Sequence, residues 1–344
     1  MRVLYYDYIR AIAIILVVLV HITAPSLLSE GAFLSRWQVC LSANTLARVG
    51  VPLFFMLSGA LFLNKNKIID FVYIRKKIQR IVLAYFFFSF LYSFIWFVGK
   101  YHFDFTYDSV IDDFLPRFLN GWFHLWFLQA LFVLYLLTPV LRQIAIEKRI
   151  CYYFALILFV VCSLFPFIGN FVEYESYFGE LLTNMAFLLP QYALYFLVGY
   201  LCSQLQYGFN AWYLGCLGGG LLIFVFIFDM IRSLQTGQPV ILWGGYLSPL
   251  IVVSSCMVFL FVRRNVETGR LSIFYKMVKI LSTNAFGVYL IHVFFVEGLI
   301  RAHIFPLMGM QVWFIPLFLF LIIAVCSFMT ILLRKIRIVD YLLC

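Results

Sequence analysis

Apolar residues along this chain fall in blocks of about twenty, and the breaks between blocks are short segments where charges, prolines and glycines gather. A helix of that length crosses the hydrocarbon core of a bilayer, because about 20 residues at about 1.5 Å each span about 30 Å. The pattern predicts ten such helices, over roughly 9–28, 46–63, 81–99, 122–141, 150–169, 185–203, 211–230, 246–262, 284–301 and 312–333. The expected fold class is therefore all-α, a polytopic membrane bundle of about ten transmembrane helices. Ten spans use some two hundred residues, so a single integral-membrane domain over 1–344 is expected, with no extramembrane catalytic domain. No small-residue cleavage motif follows the first block, which reads as a retained span and not as a signal peptide.

Composition agrees. Hydrophobic residues make up 65% of the 344 positions, charged residues 12%, and mean hydropathy is +1.01; a soluble domain carries about 25% charged residues. The formal charge of +10 could point to nucleic acid, but its distribution changes that picture. With the N-terminus inside, only Arg36, Arg48, Lys100, Arg117, Arg232 and Arg301 of the 25 basic residues fall outside. That asymmetry is a topology signal. Both termini are expected to be cytoplasmic, in a bacterial cell (inner) membrane, with lipids and no nucleic acid as the surrounding partners.

The outer segments are acidic and aromatic. Residues 100–120 hold Asp104, Asp108, Asp112 and Asp113 among Tyr101, Phe103, Phe105 and Tyr107, and residues 170–182 hold Glu173, Glu175 and Glu180 beside Tyr174, Tyr177 and Phe178. Aromatic faces with carboxylate acceptors suit sugar rings; an interfacial belt with solvated charges has the same composition. Of the eight cysteines, Cys162, Cys202, Cys216, Cys256 and Cys326 sit inside apolar runs, and Cys40 is expected in an outer loop. Without CxxC pairs or metal-ligand spacing, neither a disulfide framework nor a metal site is expected.

Ionisable residues within spans are costly, about 2.5–3.5 kcal/mol each on insertion scales, and so mark candidate function. Asp7 and Arg10 stand at the cytoplasmic entrance of the first span, and His21 lies eleven residues beyond Arg10, about 16 Å deeper. Desolvation keeps such an imidazole neutral and able to accept a proton from a hydroxyl. A core histidine bonded to a neighbouring helix fits the same spacing. His292, in Tyr289-Leu290-Ile291-His292, is a second buried imidazole at similar depth, with Glu297 and Arg301 following at a pairing distance of four. His124, in His124-Leu125-Trp126-Phe127, reads as interfacial, at the outer end of its span. In the second span Pro52 relieves a backbone carbonyl of its partner, Ser58 and Gly59 permit close helix approach, and Arg48 adjoins the apolar run on the side where cations are scarce. The inner loop Arg75-Lys76-Lys77-Ile78-Gln79-Arg80 can bind phosphates of a nucleotide-containing donor, hold anionic lipid headgroups, or fix topology. There is no Gly-rich phosphate loop, Ser-His-Asp order or HExxH motif.

Taken in order, Asp7-Tyr8-Ile9-Arg10 with His21 after ten intervening residues, Arg48 through Gly59, Arg75–Arg80, His124-Leu125-Trp126-Phe127 and Tyr289-Leu290-Ile291-His292 run nearly the whole chain. This set resembles acyltransferase family 3, the bacterial membrane O-acyltransferases of surface glycans, and within it the stand-alone enterobacterial common antigen O-acetyltransferase type. The resemblance implies a cytoplasmic acyl-CoA donor, usually acetyl-CoA, and a glycan hydroxyl as acceptor at the outer face, with no metal. It implies His21 as the catalytic residue, Arg10 as an aid in holding the donor, and Arg75, Lys76, Lys77 and Arg80 as the donor's phosphate contacts. Asp7, Arg48, His124 and His292 are the expected substrate-side residues. The lysines at 76 and 77 depart from an arginine-rich pattern and bind phosphate as point charges. The rival readings are a carrier or flippase for a glycan or lipid-linked intermediate, and a non-catalytic subunit of a polysaccharide synthase. Transporters of this size often carry internal repeats; no second copy of the Arg10–His21 or Pro-Leu-Phe-Phe pattern occurs in the C-terminal half.

Overall fold

A computed structural model describes residues 3–29, 35–171, 190–206, 210–238, 240–241, 243–271, 275–302 and 313–343. In chain order its longer elements are α1 (Leu4–Ser29), α2 (Ser35–Ala47), α3 (Gly50–Phe62), α4 (Phe71–Tyr101), α5 (Leu115–Asn120), α6 (Trp126–Ile146), α7 (Lys148–Gly169), α8 (Ala193–Gln204), α9 (Ala211–Thr236), α10 (Pro249–Glu267), α11 (Tyr275–Arg301), α12 (Phe314–Leu333) and α13 (Arg337–Leu343). Among the described residues there is no strand, and nine helical runs are long and apolar enough to cross a membrane. The chain is a polytopic all-α membrane protein. The expected span 185–203 lies partly outside the described residues; its described part is the short apolar helix α8.

α1 is the hub. It packs on α2, α3, α10, α11 and α12, and Ile9, Ala13, Ile14, Val18 and Ile22 along it have no exposed surface. The helices α2 and α3 form one broken run, interrupted at Arg48-Val49. Gly50 opens α3 against α1, where a Cβ would lie 2.8 Å from Leu16 Cβ. The tightest crossing joins α3 to α8: a Cβ on Gly59 would sit 1.7 Å from the Phe196 carbonyl oxygen, and one on Gly199 would sit 2.0 Å from that of Met56. Association in lipid rests on close packing, so backbones at this crossing touch only because both residues are glycine. At the inner surface Arg142 donates to the carbonyls of Phe62 (2.6 Å), Asn64 (3.3 Å) and Lys67 (3.0 Å), closing the end of α3 and its following loop.

Three local expectations are corrected. The basic run Arg75–Arg80 is helical, not a loop: the Asp70 carboxylate caps the 31-residue α4 by accepting from the Tyr73 N–H (2.7 Å). At about 1.5 Å per residue it is about 46 Å long, against about 30 Å of hydrocarbon. The outer segment 100–120 is also largely helical, because Thr106 and Ser109 form a capping box that starts a turn leading through Val110–Phe114 into α5. Cys40 is buried within α2 and does not sit in an outer loop. The other acidic segment, 170–182, is outside the described residues beyond Phe171.

Candidate active site

Three distant segments bring their imidazoles together at mid-bundle. His21 comes from α1 and His292 from α11, with ring centroids 5.0 Å apart; His124 lies 5.5 Å from His292 and 6.3 Å from His21. His124 arrives by a turn. Gly121 takes φ +80°, a backbone conformation that favours glycine, and a Cβ there would meet the Tyr85 hydroxyl at 2.6 Å. The chain then dips inward before α6, leaving His124 only 2% exposed, buried where an interfacial side chain was expected.

The neighbouring aromatics hold this arrangement. The Tyr289 hydroxyl donates to the His124 carbonyl at 2.7 Å, fixing α11 against the turn. Tyr92 meets His124 edge-on at 5.0 Å, stacks between Trp122 and Phe294, and donates to the Leu290 carbonyl at 3.0 Å. Trp122 in turn donates to Glu297, which also pairs with Arg301 at 3.6 Å.

Hydrogen bonding defines the protonation of His292. Its Nδ1 faces the carbonyls of Tyr289 (2.7 Å) and Val288 (3.2 Å), which only accept, so Nδ1 carries the proton and Nε2 the lone pair. That Nε2 is buried without a protein partner, as is Nε of Arg48. A buried polar atom left unsatisfied costs about 1–3 kcal/mol, so a group of them in one place marks where a hydroxylic or carbonyl ligand fits. His21 is half-buried, with Phe123 at 5.5 Å, and Phe123 is itself 58% exposed. Arg48 extends over the Tyr246 ring, 5.1 Å from its centroid.

A cavity of about 510 Å³ approaches the same cluster from the basic side. Arg10, Lys67, Lys77 and Arg80 line its mouth, and Phe54, Phe127 and Tyr289 line its deep end. Tyr289 also packs 5.7 Å from His124 and 6.2 Å from His292, so one phenol ring separates the cavity from the histidines. Arg10 is oriented by a short relay between α1 and α11: it donates to Ser282 Oγ (3.1 Å), Ser282 donates to Asp7 (2.8 Å), and Arg10 lies 3.7 Å from the same carboxylate. Asp7 is thus a buried helix tie beside Arg10, at the opposite end of α1 from the exposed Phe123.

Helix phase divides the cationic run. Tyr73, Lys77, Arg80 and Ile81 share the cavity-facing side of α4, whereas Arg75 and Lys76 are exposed and line no part of it. Among the described residues, no group of three or more His, Cys, Asp or Glu side chains is placed to hold a metal ion. Ser282 and Tyr246 were not anticipated. For Ser282 a signal existed: Ser282, Tyr289 and His292, spaced by seven and three, form one polar stripe on an otherwise apolar helix. Tyr246 sits in a short connection without periodicity.

A family model described as an acyltransferase domain matches residues 3–331. The chain belongs to acyltransferase family 3. In this membrane acyltransferase the matched region takes in every residue of the cavity but Leu343, and all three histidines. Neither the curated proteins nor the solved structures contain a match.

Proposed function

We propose that the protein moves an acyl group, most simply acetyl, from cytoplasmic acyl-CoA to a hydroxyl of a cell-surface or periplasmic glycan, from a site in the bacterial inner membrane. The enterobacterial common antigen O-acetyltransferase type is the closest reading. One observation carries the proposal: a cation-mouthed cavity with an aromatic throat ends one ring short of a cluster of three imidazoles. The mouth suits a phosphorylated headgroup, and Arg10, Lys67, Lys77 and Arg80 would hold it. The aromatic part of the lining suits a long thin arm that carries a thioester. Swinging of Tyr289 and Phe127 would open the way from the thioester to the histidines.

In the transfer, His21 takes the proton of the acceptor hydroxyl as its oxygen attacks the thioester carbonyl, or takes the acyl group itself before passing it on. Asp7 and Ser282 position Arg10, and the aromatics Trp122, Phe123, Trp126 and Tyr246 beside the site offer stacking faces for sugar.

The test is transfer from radiolabelled acetyl-CoA by the purified protein in lipid nanodiscs, paired with mass spectrometry of surface glycans in cells with and without the gene. The expected outcome is label release that His21→Ala lowers by about 10²–10⁴-fold while the variant stays monodisperse. A folded His21→Ala protein that transfers at the normal rate would remove His21 from the chemistry.

A further inference from the structure

Arg48 is a cation that the scaffold leaves without an acidic partner among the described residues. Its Nε is buried and has no hydrogen-bond acceptor. Its neighbour is the Tyr246 ring, a neutral group, held in place because Tyr195 donates to the Tyr246 carbonyl. The connection carrying Tyr246 is further pinned by the buried Asp229 carboxylate, which accepts from the N–H groups of Trp243 (2.8 Å) and Gly244 (3.0 Å).

The register of α1 against the broken α2–α3 run puts Arg48 near the level of His21. Asn44 donates to Thr23 Oγ1 (2.8 Å) and the Val20 carbonyl (3.2 Å), while Gly50 abuts Leu16. Residue 48 lies between these two contacts, so its Cα is within about one helical turn, about 5.4 Å, of the level of His21.

A guanidinium without a counter-ion, desolvated along one edge and level with a general base, fits a negative charge that exists only during reaction. We infer that Arg48 stabilises the oxyanion formed when the acceptor attacks the acyl thioester, an inference that rests on the acyltransfer reading above. In the step, the acceptor oxygen forms a C–O bond to the thioester carbon and its proton passes to His21. The carbonyl π pair moves onto the carbonyl oxygen, beside Arg48. Collapse restores the C=O, breaks the C–S bond and expels coenzyme A thiolate, which takes the proton back from His21.

The experiment uses the full chain in nanodiscs with labelled acetyl-CoA and three nucleophiles: water, N-acetylglucosamine as a neutral sugar, and glucuronic acid as an anionic one. Arg48→Gln should lower kcat by about 10²–10³-fold toward all three, the loss expected for one oxyanion donor, with the KM for acetyl-CoA unchanged. Arg48→Lys keeps the charge without the planar donor fork and should lose about tenfold. Normal rates in both variants would overturn the assignment. So would a loss confined to glucuronic acid, which would make Arg48 a reader of acceptor charge. If wild type releases no label to any nucleophile, the acyl-CoA reading itself fails and takes this inference with it.

Discussion

The inner and middle levels of this bundle treat several of their polar groups differently. At the inner level Asp7, Ser282 and Arg10 satisfy one another across α1 and α11, and Arg142 donates to three carbonyls. At the middle level His292 and Arg48 keep buried nitrogens without a hydrogen-bond partner in the protein. The inner groups are tied to one another whether or not anything binds, as the proposed scaffold for a charged headgroup would be. The middle groups make sense only with something polar among them. A protein that leaves such atoms unmet gives up stability at the place where a ligand restores it.

The strongest way to break this contrast is His292→Asn. The shorter amide can still donate to the Tyr289 carbonyl but has no counterpart to Nε2. Transfer should fall by about a hundredfold, the scale of a lost acid–base or acceptor-hydroxyl contact, while the melting temperature changes little because the amide keeps the bond to Tyr289. Parallel thermal unfolding and label-transfer assays decide it. A variant that melts earlier yet transfers normally would make His292 a structural residue.

The inner level is tested by cutting one helix into its two faces. Lys77→Ala and Arg80→Ala, on the cavity side of α4, should each raise the KM for acetyl-CoA about tenfold, equal to about 1.4 kcal/mol, with kcat nearly unchanged. Arg75→Ala and Lys76→Ala, exposed on the other side, should change it by less than about twofold. Equal effects from all four would mean that the run acts as a diffuse basic field and not as part of the cavity.

A loop over Arg75–Arg80 has no faces, so the sequence pattern alone does not divide the run. The spans were legible because bilayer thickness dictates their length whatever packs around them. The helical start at Phe71 depended on a single capping carboxylate, Asp70, which a reading guided by charge density passes over. The histidine cluster was legible in part. Depth along α1 and α11 put His21 and His292 at one level, but lateral adjacency depends on which helices α1 touches, and periodicity carries no such information. His124 was harder still, because its burial follows from the conformation of one residue, Gly121, and not from any apolar pattern.

The smallest expected effect sets the solvated edge of the protein against its desolvated middle. In the outer segment Asp113 accepts from both Lys100 Nζ and Tyr101 Oη, and these bonds hold its carboxyl below the ordinary value of 3.8. A carboxylate depressed on folding stabilises the native state above its unfolded value, and that contribution disappears as pH falls through the folded value. Lys100→Gln should therefore melt slightly below wild type at neutral pH, and the gap should close as the pH is lowered through the acid range. Raising the salt concentration should close it as well, because this pair faces water, where counter-ions screen it. The His292→Asn difference, buried where salt does not reach, should not respond to salt at all. If the Lys100→Gln gap proved equally indifferent to salt and acid, the outer segment would be packed as tightly as the middle level, and the contrast between the two would lose its physical basis.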